Sequence, residues 1–174
     1  MISESRGDDS SRLLSGEAVS EAASATVEYK QALSRVMGLL ARREYSVQEI
    51  QRKLGSEYPA EILAAVIQRC LELDWLNETR MMTVFIRSRA NRGYGPIRVL
   101  QELRLKGLAS EPIKLALEAS QMDWFAIAKS QAMRKVSDVT TLDRVARGRV
   151  LAYLQRRGFT AEQARYALTP SDDE

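Results

Sequence analysis

Arg92-Gly93-Tyr94-Gly95-Pro96-Ile97-Arg98-Val99-Leu100-Gln101-Glu102-Leu103-Arg104-Leu105-Lys106-Gly107 is the stretch against which the rest of the chain aligns. Gly95-Pro96 reads as a helix start, because proline lacks only an N–H that a first turn leaves unpaired anyway; Gly107 reads as the stop. Between them Ile97, Leu100 and Leu103 recur at helical spacing and are expected to face inward. The pattern returns 49 residues earlier, where Arg43, Tyr45, Ile50 and Leu54 answer Arg92, Tyr94, Val99 and Leu103, and Asp74-Trp75 answers Asp123-Trp124. It returns again 51 residues later, with Val150-Leu151, Leu154, Arg157-Gly158 and Leu168 answering Val99-Leu100, Leu103, Lys106-Gly107 and Leu117. Units of this length bury their apolar faces by stacking on neighbours. The expected fold is therefore all-α, an elongated, curved array of three tandem three-helix repeats.

Local signals place the helices. Val36, Leu39 and Leu40 line one face of the first. Ser46 and Glu49 form a capping box for the second, and Pro59 opens the third, whose apolar stripe runs Ile62, Val66, Cys70, Leu73. In the second repeat Asn77 caps a helix through Met81, Val84, Phe85 and Ser88 that stops before Gly93, and Ser110 is the expected N-cap of the helix carrying Ile113 and Leu117. The third repeat offers helices over 124–136, 142–157 and 160–168, the last opened by a Thr160/Gln163 capping box. The predicted organisation is a disordered, Ser-rich and charged arm over 1–26, repeats at 27–76, 77–122 and 123–168, and an acidic tail at 169–174. The arm is assigned as disordered because it is rich in Ser and charge and sparse in large apolar residues such as Leu13 and Leu14.

Composition excludes several chemistries. The chain has no His and a single Cys, so neither a disulfide framework nor a zinc-ligand set is available, and Cys70 lies in the helical stripe as a core thiol. No apolar run reaches the roughly twenty residues of a membrane span, and no signal-peptide centre is present, which makes the cytoplasm the expected compartment. No Gly-rich phosphate loop and no nucleophile dyad occur; Gly93-x-Gly95 follows a helix and precedes Pro96, the wrong context for dinucleotide binding. No enzyme activity and no cofactor are expected.

Charge is distributed unevenly. The overall +3 divides into −4 over residues 1–28, −3 from Thr169 onward and +10 over residues 29–168. Residues 30–78 are balanced at seven basic and seven acidic groups. Residues 80–106 hold seven basic groups against Glu102 alone, and residues 129–157 hold eight against Asp138 and Asp143. Such a field favours a polyanionic or acidic partner across the second and third repeats.

Three separated motifs resemble one family. Leu39 to Leu54, Phe85 to Arg98 with Gln101 to Leu108, and Met122 to Ala128 are similar to the signature of RecX regulatory proteins, in order and with matching spacing over about residues 30–168. The resemblance implies tandem three-helix repeats that bind along the helical groove of the RecA recombinase filament. There they would restrain filament extension and suppress strand exchange, ATPase and co-protease functions, modulating DNA repair and the SOS response. Family members commonly carry Gly where this chain has Asp74, which bears on the end of the preceding helix.

Two basic surfaces are candidates for contact with the filament or with DNA. Around the Gly93-Tyr94-Gly95 turn stand Arg87, Arg89, Arg92, Tyr94, Arg98, Arg104 and Lys106; in the third repeat stand Lys129, Arg134, Lys135, Arg144, Arg147, Arg156 and Arg157. Arg87 and Arg89 lie about 200° apart on a helix, whereas Arg89 and Arg92 share a side, so reversing the charge of that pair is expected to weaken filament binding with the fold intact. Tyr94 either stacks on a partner or packs between repeats. Trp75 and Trp124, at the same junction in successive repeats, are assigned to packing between them. Guanidinium forks suit phosphate and carboxylate alike, so direct contact with single- or double-stranded DNA stays open. The alternative function is an independent DNA-binding protein using a helix-turn-helix at 46–73. That repeat is electrically neutral and no dimerisation helix is evident, so a monomer is expected.

Overall fold

The computed structural model of the chain describes residues 9–170, with side chains from residue 24 onward. The described residues are helical with short connections and contain no strand. The chain divides between Leu76 and Asn77 into two compact units.

The first unit holds α1 (Asp9–Leu40), α2 (Val47–Leu54) and α3 (Ala60–Glu72), with α1 packed along α3. Ala32 and Val36 of α1, Tyr45 of the connection that follows, Ile50 and Leu54 of α2, and Leu63, Val66, Ile67 and Cys70 of α3 form its core. The capping box is present as expected: Glu49 N–H donates to Ser46 Oγ and Ser46 N–H to the Glu49 carboxylate, both at 3.1 Å. Cys70 is fully buried, and desolvation pushes its thiol pKa up, as befits a packing residue. The arm departs from expectation. Helix α1 begins at Asp9, so the backbone of residues 9–26 is helical where composition predicted disorder. The stretch has no Pro and several Ala, Glu and Leu residues, and adding turns to a helix already anchored by Ala32 and Val36 avoids the unfavourable nucleation step. Residues 1–8 and 171–174, and the side chains of Leu13 and Leu14, lie outside the described residues.

The second unit holds two three-helix repeats, α4 (Glu78–Asn91), α5 (Pro96–Leu105) and α6 (Ser110–Ala119), then α7 (Trp124–Met133), α8 (Arg144–Arg156) and α9 (Ala161–Tyr166). Met81, Ile86, Val99, Leu103 and Ile113 lead one core; Ala128, Val150, Leu154, Phe159 and Leu168 lead the other. The alignment of repeats survives in space. Ile50, Val99 and Val150, and Leu54, Leu103 and Leu154, are each at most 6% exposed.

Helix ends reuse one device. In α3, α4, α5 and α8 the residue after the C-cap takes positive φ, and the next N–H reaches back to the carbonyl of the helix's antepenultimate residue. Gly93, Gly107 and Gly158 serve at three of these ends. Asp74 serves at the fourth with φ 57°, and Trp75 N–H donates to Cys70 O at 2.9 Å. Where the resemblance implies Gly, this chain has one of the few side chains that tolerate the left-handed region, and the helix end keeps its form. One N-cap differs from expectation: Ala109 takes that position and Ser110 is the first helical residue. The Ser110 hydroxyl accepts instead from Arg104 Nε at 2.8 Å, a charged donor supplied by the preceding helix.

Candidate interaction surface

Within the second unit, the Gly93-Tyr94-Gly95 turn is the seam between the two repeats. Gly95 N–H donates to Arg157 O at 2.9 Å and Ile97 N–H donates to Gly158 O at 3.0 Å, so the first turn of α5 hydrogen-bonds to the connection between α8 and α9. A Cβ on Gly95 would overlap the Gly158 carbonyl, and a Cβ on Gly158 would overlap Arg98. Only paired glycines allow this approach.

Tyr94 fills the edge of the seam. The guanidinium carbons of Arg98 and Arg157 lie 4.3 and 4.8 Å from its ring centroid. Arg157 Nε also donates to the Tyr153 hydroxyl at 3.0 Å, and an Arg157 terminal nitrogen donates to Gln131 Oε1 at 3.2 Å. Tyr94 therefore packs between repeats, the second of the two roles its sequence allowed. Tyr45 sits differently, buried in the first unit's core with the Arg43 guanidinium 3.6 Å from its ring centroid. Trp124 packs on the core of the second repeat, but Trp75 is 42% exposed, which corrects the expectation of a matched pair of buried anchors.

Hydrogen bonding sorts the fourteen predicted site residues. Arg89 Nε and Arg98 Nε both donate to the Glu102 carboxylate, the latter at 2.9 Å, while the Arg89 guanidinium also lies 4.6 Å from the Phe85 ring centroid. Arg104 is held by Ser110, and Arg147 donates to Leu168 O at 3.3 Å. Lys106, Lys129 and Lys135 lie near the rings of Phe85, Tyr166 and Tyr153. Arg87, Arg92, Arg134, Arg144 and Arg156 are exposed and have no polar or ring partner among the described residues. Arg149, absent from the predicted set, is exposed in the same way, and its position on α8 at i−7 from Arg156 was the available signal.

The expected pairing of Arg89 with Arg92 is corrected. Arg89 is drawn inward by Glu102, with side-chain exposures of 24% and 21% for the two partners. Instead Arg87 and Arg92 line one shallow cavity of about 430 Å³ with Val84, Ser88 and Asn91. Helical angles put Arg87 and Arg89 on different sides, as the sequence implied, but which of them pairs with Arg92 depended on Glu102.

Glu102 carries an acid-sensitive contribution to stability. Burial pushes its carboxyl pKa up, but hydrogen bonds from Arg98 and Arg89, and their charges, outweigh that and hold it below the ordinary glutamate value. A depressed carboxyl pKa stabilises the fold above the unfolded-state value, about 4.3, and that stabilisation disappears as pH falls through the folded-state value. Glu102→Gln is therefore expected to be less stable than the parent at pH 7, with the gap narrowing below about pH 4 in urea titrations. A gap independent of pH would refute the ion-pair assignment.

The buried polar side chains are all engaged. Ser46 and Glu49 cap α2, Gln163 caps α9 with Thr160, and Gln131 accepts from Arg157. Among the described residues no cluster of three or more His, Cys, Asp or Glu side chains could hold a metal ion, and no helix is long and apolar enough to cross a membrane.

Tandem three-helix repeats define a class of helical-repeat proteins, and here they display guanidiniums that have no partner among the described residues. Family models for the first, second and third three-helix domains of RecX match residues 32–70, 77–117 and 121–168 in turn. Regulatory protein RecX of Halorhodospira halophila is 38% identical over 157 residues, covering 90% of this chain and 96% of the relative. The protein of the same name from Yersinia enterocolitica is 33% identical over 153 residues, covering 75% and 92%. The chain belongs to the RecX family. A crystal structure of RecX from Lactobacillus salivarius shares the fold at a TM-score of 0.74 and 16% identity, covering 82% of this chain and 96% of that one.

Proposed function

We propose that this chain is a regulator that binds in the groove of the RecA–DNA filament, inhibits its extension, and so restrains strand exchange, ATPase and co-protease activities in DNA repair and the SOS response. The observation that carries the reading is membership of the RecX family through all three domains in order. A body of net charge +10 over residues 29–168, with exposed arginines in both repeats of the second unit that have no partner among the described residues, suits an anionic filament. The mechanism needs no covalent chemistry: a basic ladder occupies the groove and competes with an incoming strand and with new subunits. Arg87 and Arg92 in the second repeat, and Arg134, Arg144, Arg149 and Arg156 in the third, are the contacts this reading favours.

RecA's ATP hydrolysis on single-stranded DNA, measured with substoichiometric amounts of this protein, tests it. Inhibition at well under one copy per RecA protomer is expected. No inhibition, together with tight DNA binding that weakens with salt at a slope of about 0.7 to 0.9 per phosphate, would establish an independent DNA-binding protein instead. The double variant Arg87→Glu/Arg92→Glu is expected to raise the half-inhibitory concentration about tenfold while changing stability by no more than about 0.5 kcal/mol. Unaltered inhibition would remove this face from the interface.

A further inference from the structure

Between the turn after α7 and helix α8 the second unit has a groove of about 340 Å³. Val136, Ala146, Val150 and Tyr153 form its floor, and Lys135, Arg149 and Arg156 its rim. Ala146, Arg149, Val150, Tyr153 and Arg156 follow one another at steps of three and four, so the groove runs along one stripe of α8 for about 15 Å. Among the described residues no carboxylate lines it. The two acidic side chains of residues 129–157 are already hydrogen-bonded to backbone or hydroxyl groups: Asp143 accepts from Ala146 N–H at 2.7 Å as the cap of α8, and Asp138 accepts from Thr140. Arg149 and Arg156 have no partner among the described residues, and Lys135 touches only the Tyr153 ring.

We infer that this groove docks an acidic segment of a partner protein, one that seats aliphatic or aromatic side chains on the Val136–Val150 floor and presents carboxylates to Arg149 and Arg156. Charge complementarity selects an anion, and the floor selects which kind. A single-stranded nucleic acid needs an open aromatic face on which to stack its bases. Tyr153 offers little: Lys135 and Arg157 lie 4.8 and 5.5 Å from its centroid, and its hydroxyl is engaged by Arg157 and Gln131. The remaining floor is aliphatic, which suits the apolar face of an amphipathic segment. Arg149 and Arg156 stand two helical turns apart, about 10.5 Å, so they match carboxylates seven residues apart on a partner helix or three apart on an extended strand. The inference concerns the chemistry this repeat accepts and holds whether or not that partner is the RecA filament.

The test uses the full chain and a fluorescein-labelled, twelve-residue helical peptide with Leu at its first, fifth and eighth positions and Glu flanking them, followed by anisotropy. Three controls accompany it: Leu replaced by Ser, Glu replaced by Gln, and a twelve-nucleotide oligothymidylate. Binding of the acidic apolar peptide is expected, with either peptide control at least tenfold weaker. Arg149→Glu/Arg156→Glu is expected to weaken the peptide by at least tenfold with unchanged thermal melting, and Val136→Ser, at the half-buried part of the floor, to weaken the peptide without affecting the oligonucleotide. Peptide binding indifferent to both variants would overturn the inference. So would a groove that takes only the oligonucleotide, recognised by loss of that binding in the double arginine variant and no peptide binding in the parent.

Discussion

Replacing Gly158 by alanine is expected to destabilise the second unit by about 3 kcal/mol, seen as a lowered urea midpoint. Two costs combine. The residue holds φ 91°, where a Cβ costs about 1 to 2 kcal/mol. The new methyl would also overlap the backbone nitrogen and Cβ of Arg98 in the first turn of α5, and a first turn already hydrogen-bonded to the Gly158 carbonyl cannot retreat without losing that bond, adding about 1 to 3 kcal/mol. Gly148 is the control within the same repeat. It lies inside α8 with open space where its Cβ would be, so Gly148→Ala should stabilise by up to about 1 kcal/mol. If the two substitutions had equal effects, the seam between the second and third repeats would not be a close-packed joint.

Arg89→Glu should cost a similar amount, about 3 kcal/mol, because it sets a second carboxylate against Glu102 where both side chains are about three-quarters shielded from solvent. The lost guanidinium also removes the nearer of the two cations on the Phe85 ring, leaving Lys106 at 5.4 Å. Arg92→Glu, on the exposed residue three positions along, should change stability by no more than about 0.5 kcal/mol. The combination Arg89→Glu/Glu102→Arg should recover part of the loss, and a double-mutant cycle in urea measures the coupling. Absence of coupling would mean the pair contributes nothing to the fold. Under the proposed function, a loss of RecA inhibition in Arg89→Glu would therefore report unfolding before it reported a contact, which makes Arg87 and Arg92 the better probes of the surface.

The helices were legible because their ends are coded by neighbours in sequence. A Ser46/Glu49 or Thr160/Gln163 box involves residues three apart, and Asn77 needs only the N–H of Arg80, so local chemistry suffices. Ser110 shows the limit. Its hydroxyl was predicted to cap a helix and was claimed instead by a guanidinium six residues earlier on another helix. The arm shows another: composition weighs a segment as though isolated, but residues 9–26 extend a helix whose later turns are anchored in a core.

The sequence by itself determined the all-helical class, the three repeats and their register, since the spacing of Ile50, Val99 and Val150 carries the core positions and needs no knowledge of what they touch. It also determined the sign of the charge over the last two repeats. Only the tertiary structure decided which cations remain available to a partner. That depends on meetings across 13 residues for Arg89 with Glu102 and 26 for Arg157 with Gln131, and on a seam where Gly95 and Gly158 approach. A helical period tells which side of its own helix a residue occupies; what stands opposite depends on how the helices pack.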